Sequence, residues 1–326
     1  MLENVYCSID RLTILATHKQ HSSVYYLAHK LREYLADKLV SDSKLKLVDY
    51  QDGLAFGVSW YELNKYDEER EENLIFIHVF EHGGESDLRI DFNPNSLKKH
   101  NVEYIWNDLR FALSTLQVDL RLSRFDLAFD IINAPFIREM KNIKGGITRK
   151  EFYGRSGALE TIYWGSQASS VQIRLYDKLV EIEGKIGELY NTIPELTKTD
   201  EWGHFLVQIE DAWRLEMQMR TKVIDENLVD EVVKRLSDFS LTSADELDLK
   251  PQLKIFADMF LNSPEKIAVF YSDIPKRTIR DWKSKVRKAV REANDDNIEA
   301  IKKALQRDSE KLKLELQKYC DIYLGF

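Results

Sequence analysis

The sequence contains few cysteines, prolines and glycines, with two, six and 13 among 326 residues. Cys7 and Cys320 lie at opposite ends of the chain, so we expect no disulfide framework and a reducing, cytoplasmic environment. The prolines are scattered, and no low-complexity segment or Gly/Ser/Pro-rich linker interrupts the chain. These absences exclude a disulfide-stapled secreted scaffold and a disordered linker protein.

Long hydrophobic runs are also missing. No run reaches the ~18 apolar residues of a membrane-spanning helix, so no membrane partner is expected. The first residues lack a basic segment followed by an apolar stretch, so we expect no signal peptide. With 44% hydrophobic and 31% charged residues, the composition is typical of a soluble globular protein.

The net charge of −8 argues at first against a nucleic-acid partner, but the charges are unevenly distributed. Acidic residues concentrate at 67–72, whereas basic residues concentrate at 276–291, where Asp281 is the single acid. After the break at Asp273–Pro275, this segment predicts a helix–turn–helix-like reader of duplex DNA, with a solvated charged face as the alternative. The candidate DNA contacts are Lys276, Arg277, Arg280, Lys283, Lys285, Arg287 and Lys288.

Apolar periodicity predicts an α+β fold that becomes helical in its last quarter. We therefore predict an α+β core at residues 1–245 and a helical region at 246–326. Strands starting near Ser8 and Arg124 could begin two related halves of the core. The elements used below are helices predicted at 96–117, 178–190 and 297–318, and strands predicted at 120–131, 171–176 and 213–220.

A tyrosine with basic neighbours is the first candidate for chemistry. On a strand, Arg174, Tyr176 and Lys178 would project from one face. A phenol has an unperturbed pKa near ~10, so two cations beside it would favour the phenolate and attract a phosphate. The alternative is a strand-end tyrosine that packs on the sheet beneath basic side chains.

Three carboxylates on neighbouring predicted strands are the second candidate. Alternation directs Asp126 and Asp130 to one face of a strand, and Glu216 lies on the polar face of another. Hard oxygen ligands suit Mg²⁺ or Mn²⁺, so these residues could form a divalent-metal site. The alternatives are solvation and ion pairing of Asp126 and Asp130 with Arg121 or Arg124, and ion pairing of an exposed Glu216 with Arg214 or Arg220.

A glycine-rich segment at 153–157 has no strand-to-helix phosphate-loop pattern and predicts a hairpin turn. Such a turn could present Arg155 to a phosphate, although a purely structural turn is the alternative.

Seven segments, taken in order, resemble motifs of one protein family. They are Ser8–Ile14, Leu88–Asn95, Arg124–Asp130, Phe152–Gly157, Glu160–Gly165, Ile173–Lys178 and Trp213–Glu216. The sequence thereby resembles the Rep-trans replication initiators of small Gram-positive rolling-circle plasmids. The resemblance extends over most of the chain, except for the C-terminal basic segment, which diverges most.

The resemblance implies that Tyr176 is a nicking tyrosine, which becomes linked to a 5′ phosphate and leaves a 3′-OH for synthesis. It implies a duplicated antiparallel-sheet nicking domain, loosely like the HUH endonucleases, followed by a helical C-terminal segment. The sequence has no His-hydrophobic-His motif, so carboxylates would have to hold the metal. Asp177 stands where some relatives have Asn or Glu, which leaves a metal-binding role at this position open.

The implied partners are a double-stranded plasmid origin, single-stranded DNA at the nick site, a second copy of the chain and a host helicase. The amphipathic helix at 297–318 could supply the dimer interface or pack within the chain. A relaxase of a conjugative element and a non-catalytic DNA-binding regulator are the alternative functions.

Overall fold

The structure is a computed structural model that describes residues 2–18, 24–39, 42–50, 55–63, 69–82, 85–116, 118–144, 147–220, 227–293 and 295–320. The strands among these residues are β1 (Asn4–His18), β2 (Leu45–Asp49), β3 (Ala55–Leu63), β4 (Glu69–His82), β5 (Glu85–Phe92), β6 (Val118–Ile132), β7 (Lys141–Asn142), β8 (Arg149–Tyr153), β9 (Leu159–Trp164), β10 (Val171–Asp177), β11 (Ala212–Arg220) and β12 (Phe239–Ser240).

The helices among the described residues are α1 (Val24–Leu39), α2 (Pro94–Lys99), α3 (Tyr104–Thr115), α4 (Lys178–Glu181), α5 (Gly187–Thr192), α6 (Leu228–Leu236), α7 (Pro251–Asn262), α8 (Ile267–Phe270), α9 (Lys276–Glu292) and α10 (Asp296–Cys320). Antiparallel strands with helices, followed by a helical last quarter, confirm the predicted α+β class. The strands predicted at 120–131, 171–176 and 213–220 are confirmed as β6, β10 and β11.

The chain forms two compact units. The N-terminal unit comprises residues 8–127, 218–226 and 310–326, and the C-terminal unit comprises residues 1–7, 128–217 and 227–309. The two units are defined by how the chain packs. The predicted boundary at 245/246 separates regions of different function, and it stays a prediction. The duplication of two related halves also stays a prediction.

In the N-terminal unit, the strand order is β2-β3-β4-β5-β1-β6. β5 shows why this sheet has two unlike faces: Leu88, Ile90 and Phe92 are buried on one face, and Asp87 and Asp91 lie on the other. Phe92 stacks on Trp106 of α3 with ring centroids 4.4 Å apart, so the apolar face packs against the helices.

The helix predicted at 96–117 is wrong as a single element, because the chain forms α2 and α3 instead. Asn101 between them has φ of 57°, a left-handed conformation that asparagine tolerates but that a continuous helix does not contain. Asn93 caps α2 by accepting a hydrogen bond from the Asn95 amide at 2.9 Å.

In the C-terminal unit, the strand order is β6-β11-β10-β9-β8, so β10 lies between β9 and β11 and β8 is last. Asn133, with φ of 57°, follows β6 and accepts a hydrogen bond from the Glu210 amide at 2.8 Å. The side-chain amide nitrogen of Asn133 donates a hydrogen bond to the Gln208 carbonyl at 2.6 Å. This contact fixes the end of β6 near the start of β11.

The helix predicted at 178–190 is also wrong, because only α4 and α5 form within it. Glu183 and Gly184 between them have φ of 52° and 72°, and two successive left-handed residues end a right-handed helix.

The last quarter packs around an apolar cluster that includes Phe256 and Phe260 of α7 and Val286 and Val290 of α9. α9 begins directly after Pro275, as the predicted break requires. α7, which contacts α9, lies within the region predicted to be helical at 246–326, whereas α8 is a single turn. The helix that packs with α9 in the predicted helix–turn–helix-like arrangement is therefore α7.

The final helix predicted at 297–318 is confirmed as α10. Its apolar side chains Ile298, Ile301, Leu305, Leu312 and Leu316 are all buried within the chain. The apolar face of α10 therefore packs within the chain, which is one of the two alternatives that the sequence left open. It is not available as a dimer interface.

Truncation of Phe256 tests the apolar cluster. Phe256 is fully buried against Tyr271 and Trp282, so Phe256→Ala should lower the free energy of unfolding by about 3–5 kcal/mol. Urea denaturation followed by circular dichroism measures this loss. Phe270→Ala is the matched control, because Phe270 is 67% exposed and should change stability by less than about 0.5 kcal/mol. Equal effects of both substitutions would contradict the packing described.

Candidate active site

Tyr176 lies near the end of β10, and two cations lie against its ring. The guanidinium carbon of Arg174 is 4.4 Å from the ring centroid, and the ammonium nitrogen of Lys178 is 5.8 Å from it. The three predicted residues are therefore brought together. Tyr176 is only 5% exposed, as the alternative of a strand-end tyrosine packed beneath basic side chains predicts.

Lys178 reaches this position from outside the strand, because β10 ends at Asp177 and Lys178 begins α4. The Asp177 carboxylate caps α4 by accepting a hydrogen bond from the Val180 amide at 3.1 Å. This contact gives Asp177 a structural role. Lys178 also pairs with Glu181 one turn along α4.

Arg174 is held from its other side by Glu216 of β11. Burial alone would lower the pKa of Arg174, but Glu216, Tyr176 and a hydrogen bond with Tyr163 together raise it above its ordinary value. Arg174 is therefore a permanent cation beside the phenol. No described residue accepts a hydrogen bond from its buried Nε atom, so this donor has capacity for a further acceptor.

The three predicted metal ligands are each paired with a different arginine. Asp126 is fully buried and pairs with Arg124, as one alternative predicted. Asp130 accepts two hydrogen bonds from Arg214, at 2.7 Å from Nε and 2.8 Å from Nη2. Glu216 pairs with Arg174, so all three carboxylates are neutralised by cations of the chain itself.

These residues do not fit a shared metal ion in this arrangement. A metal would have to compete with guanidinium groups already bonded to the carboxylate oxygens. Among the described residues, no three His, Cys, Asp or Glu side chains converge in a group that could hold a metal. Metal binding by Asp126, Asp130 and Glu216 stays a prediction.

Arg214 is the residue that sequence reasoning missed. It appeared there only as a partner for Glu216, whereas it forms the two-point contact with Asp130. Both side chains are almost fully buried, at 6% and 3% exposure. The alternation of Arg214, Glu216 and Gln218 along β11 was the signal that they share a face.

The predicted DNA contacts on α9 divide into two groups. Lys276, Arg277, Arg280, Lys285 and Lys288 are exposed. Lys283 and Arg287 are half-buried over Phe260, and Arg287 Nε donates to the Ile143 carbonyl at 3.0 Å. Burial and the nearby Arg291 lower the pKa of Arg287, so this residue serves the packing of α9.

Arg155 is exposed at the turn between β8 and β9. The turn closes through hydrogen bonds from the Gly154 amide to the Ala158 carbonyl and from the Gly157 amide to the Gly154 carbonyl, both at 2.9 Å. Gly157 has φ of 77°, which requires glycine. The hairpin predicted at this motif is confirmed.

Comparisons with known proteins relate this chain to replication initiators. A replication initiation protein of Staphylococcus aureus is 31% identical over 141 residues, which cover 42% of this chain and 37% of the relative. A second replication initiation protein of the same species is 28% identical over the same shares. The chain thus matches little more than a third of the length of these relatives. The relationship to replication initiators that the motifs predict is confirmed.

No protein-family profile matches the chain. A solved structure, the rolling circle replication initiator protein from Geobacillus stearothermophilus, aligns with a TM-score of 0.39 and 13% identity. The alignment covers 76% of this chain and 89% of that one. No helix among the described residues is both long enough and apolar enough to cross a membrane.

Removal of Arg214 tests the charge pairing. Arg214→Ala would leave Asp130 buried without a cation and should lower the free energy of unfolding by about 3–5 kcal/mol at neutral pH. The orphaned carboxyl should bind a proton more readily in the folded than in the unfolded chain, so the loss should shrink as the pH falls towards ~5. Urea denaturation of variant and wild type across this pH range measures the difference.

The control is Asp130→Asn in the Arg214→Ala background, which removes the buried charge and should recover part of the lost stability. A stability difference that stays small and independent of pH would show that Arg214 does not neutralise Asp130.

Proposed function

We propose, from the relationship of this chain to replication initiation proteins, that it starts rolling-circle replication by nicking and rejoining one strand of a plasmid origin. The observation that carries this proposal is Tyr176, which lies beneath Arg174 and Lys178 in a motif that resembles the nicking motif of these initiators. A tyrosine between two cations is suited to attack a phosphodiester and to hold the product.

In the proposed reaction, the Tyr176 hydroxyl oxygen attacks the scissile phosphorus and its proton is lost. The bond between phosphorus and tyrosine oxygen forms, and the bond from phosphorus to the 3′ oxygen breaks. The 3′ oxygen takes up a proton and becomes the primer for synthesis. Because the phosphodiester energy is kept in the 5′-phosphotyrosyl bond, the reverse reaction can rejoin the strand without another energy source.

Arg174 is proposed to act on the charge that develops at the phosphate. Its two neighbours Glu216 and Tyr163 fix its position, and its Nε donor has no acceptor among the described residues. This donor is buried, so a phosphate oxygen would reach it only once the site opens, and the hydrogen bond would then strengthen as negative charge grows in the transition state. Lys178 would supply a second cation near the ring.

The low exposure of Tyr176 sets a condition for this reaction. At 5% exposure the phenol must become accessible before it attacks. Lys178 is already shared with Glu181, and a phosphate would compete with that carboxylate and with the ring for the ammonium group. Movement of this side chain towards DNA is therefore proposed as one part of the opening of the site.

Within the helical region at 246–326, α9 is proposed to bind duplex origin DNA, and the core at 1–245 is proposed to bind single-stranded DNA. The exposed cations of α9 support duplex docking because phosphate contacts supply most of the affinity of such interfaces. A second copy of the chain and a host helicase complete the proposed partners. The dimer would have to use a surface other than the buried face of α10.

Tyr176→Phe tests the nucleophile. The substitution removes only the hydroxyl, so it should abolish nicking of single-stranded oligonucleotides tiled across the parent replicon while duplex binding is unchanged. A denaturing gel detects the covalent protein–DNA band. Tyr153→Phe is the matched control and should nick like the wild type. A parallel reaction with EDTA, against Mg²⁺ or Mn²⁺, tests the metal requirement. Undiminished nicking by folded Tyr176→Phe would contradict the assignment.

Arg277→Ala/Arg280→Ala tests duplex docking. Both side chains are exposed, and no described acidic residue pairs with them, so their loss should weaken binding of duplex tiles of the replicon. The slope of log affinity against log salt concentration should become shallower by about 2 if each contacts a phosphate. Fluorescence anisotropy at several salt concentrations measures both effects.

The control for duplex docking is Lys303→Ala/Lys311→Ala, which removes two exposed cations from α10 instead. The same loss of affinity and slope in the control would mean that general charge, and not α9, determines binding.

A further inference from the structure

We propose that Phe152, on strand β8, forms a base-stacking subsite for the single-stranded DNA next to the scissile phosphate. This inference rests on the proposed nicking function and adds a positioning residue to it. The sequence motif at 152–157 predicts only a hairpin turn and a phosphate contact by Arg155, and it assigns no role to its aromatic residues.

The register of three strands brings Phe152 into line with Tyr176. Phe152 of β8 lies opposite Thr161 of β9, and Thr161 lies opposite Tyr176 of β10. Directly opposed residues of antiparallel strands point to the same face. Phe152 and Tyr176 therefore share a face and are separated by two strand spacings, about 10 Å. This distance is on the scale of one or two nucleotides of single-stranded DNA.

The neighbouring set of opposed residues on the same face also connects β8 to β10. Lys150 of β8 lies opposite Tyr163 of β9, and Tyr163 lies opposite Arg174 of β10. Phe152 meets the Tyr163 ring edge to face, with ring centroids 5.6 Å apart. From the edge strand β8 to Arg174, the side chains in this row are therefore aromatic or cationic.

Phe152 is accessible as well as aligned. It is 53% exposed, and β8 is the last strand in the order of this unit. Lys150 beside it and Arg155 at the end of the hairpin are also exposed. An exposed aromatic ring between cations matches the two needs of a single strand, which are a surface for base stacking and positive charge for the backbone.

These features select single-stranded DNA over a duplex. In a duplex each base is stacked between its neighbours and offers no free face to a side chain. A base held on Phe152 would fix the strand on one side of the nick site, so that its phosphate meets Arg174 and Tyr176. The subsite would tolerate different bases, because every base has a face to stack.

The test uses the full-length Tyr176→Phe protein, which binds without covalent reaction, and two fluorescent probes of equal length. One probe is a dT20 strand, and the other is the same backbone with abasic spacers in place of thymidines. Phe152→Ala should weaken dT20 binding by about 5- to 150-fold, the range measured for loss of one stacked base. Binding of the abasic probe should not change, because no charge is removed.

Tyr153 supplies the matched control. It is 59% exposed and adjacent in sequence, but its hydroxyl bonds to Glu151 at 2.5 Å, and Glu151 lies opposite Ile162, outside the rows that carry Phe152 and Tyr176. Tyr153→Ala should leave dT20 binding unchanged, and Phe152→Trp should retain it. Equal binding by Phe152→Ala and Tyr153→Ala, or equal loss on both probes, would overturn the subsite.

Failure of the subsite and failure of the proposed function give different results. If wild-type protein forms no covalent product but Phe152→Ala still loses dT20 affinity, the nicking function fails and the subsite stands. If Tyr176-dependent nicking occurs and Phe152→Ala binds dT20 like the parent protein, the subsite alone fails.

Discussion

Pairing of buried carboxylates with arginines is the constraint on which the candidate site depends. Asp126, Asp130 and Glu216 lose their hydration in the folded chain, and each is neutralised by its own arginine. A buried charge without a partner would cost several kcal/mol, so these pairs determine which cations remain for chemistry. Arg174 is the important case, because its pairing with Glu216 also positions it over Tyr176.

This arrangement changes the interpretation of the polar strand faces. Carboxylates grouped on a sheet suggest a metal site when only their spacing is known, but bonded guanidinium groups occupy the same oxygens here. The proposed chemistry then centres on a phenol beside permanent cations. The face around it extends through Tyr163 to Phe152, so the proposed nucleophile, phosphate contacts and base-stacking surface lie on three neighbouring strands.

Sequence patterns predicted the elements with strong periodicity and missed those set by single residues or by tertiary contacts. Alternation located β6, β10 and β11, and heptad-like spacing located α10. Left-handed residues such as Asn101 and Gly184 interrupt two of the predicted helices. The sequence pattern does not reveal the φ angle of a residue, so these interruptions were not predicted. Spacing brought Tyr176 and Arg174 together, but the partners of Asp130 and Glu216 lie on neighbouring strands, and strand order cannot be read from periodicity.

The most direct test of the central claim is to identify the amino acid that carries the DNA. Covalent product from wild-type protein and a single-stranded nick-site oligonucleotide would be digested with protease and nuclease, and the nucleotide-bearing peptide sequenced by tandem mass spectrometry. The account predicts a 5′-linked nucleotide on the tyrosine of Ile173–Lys178. A nucleotide on Tyr163, Tyr153 or a residue elsewhere would contradict it, because no other described tyrosine ring lies against both Arg174 and Lys178.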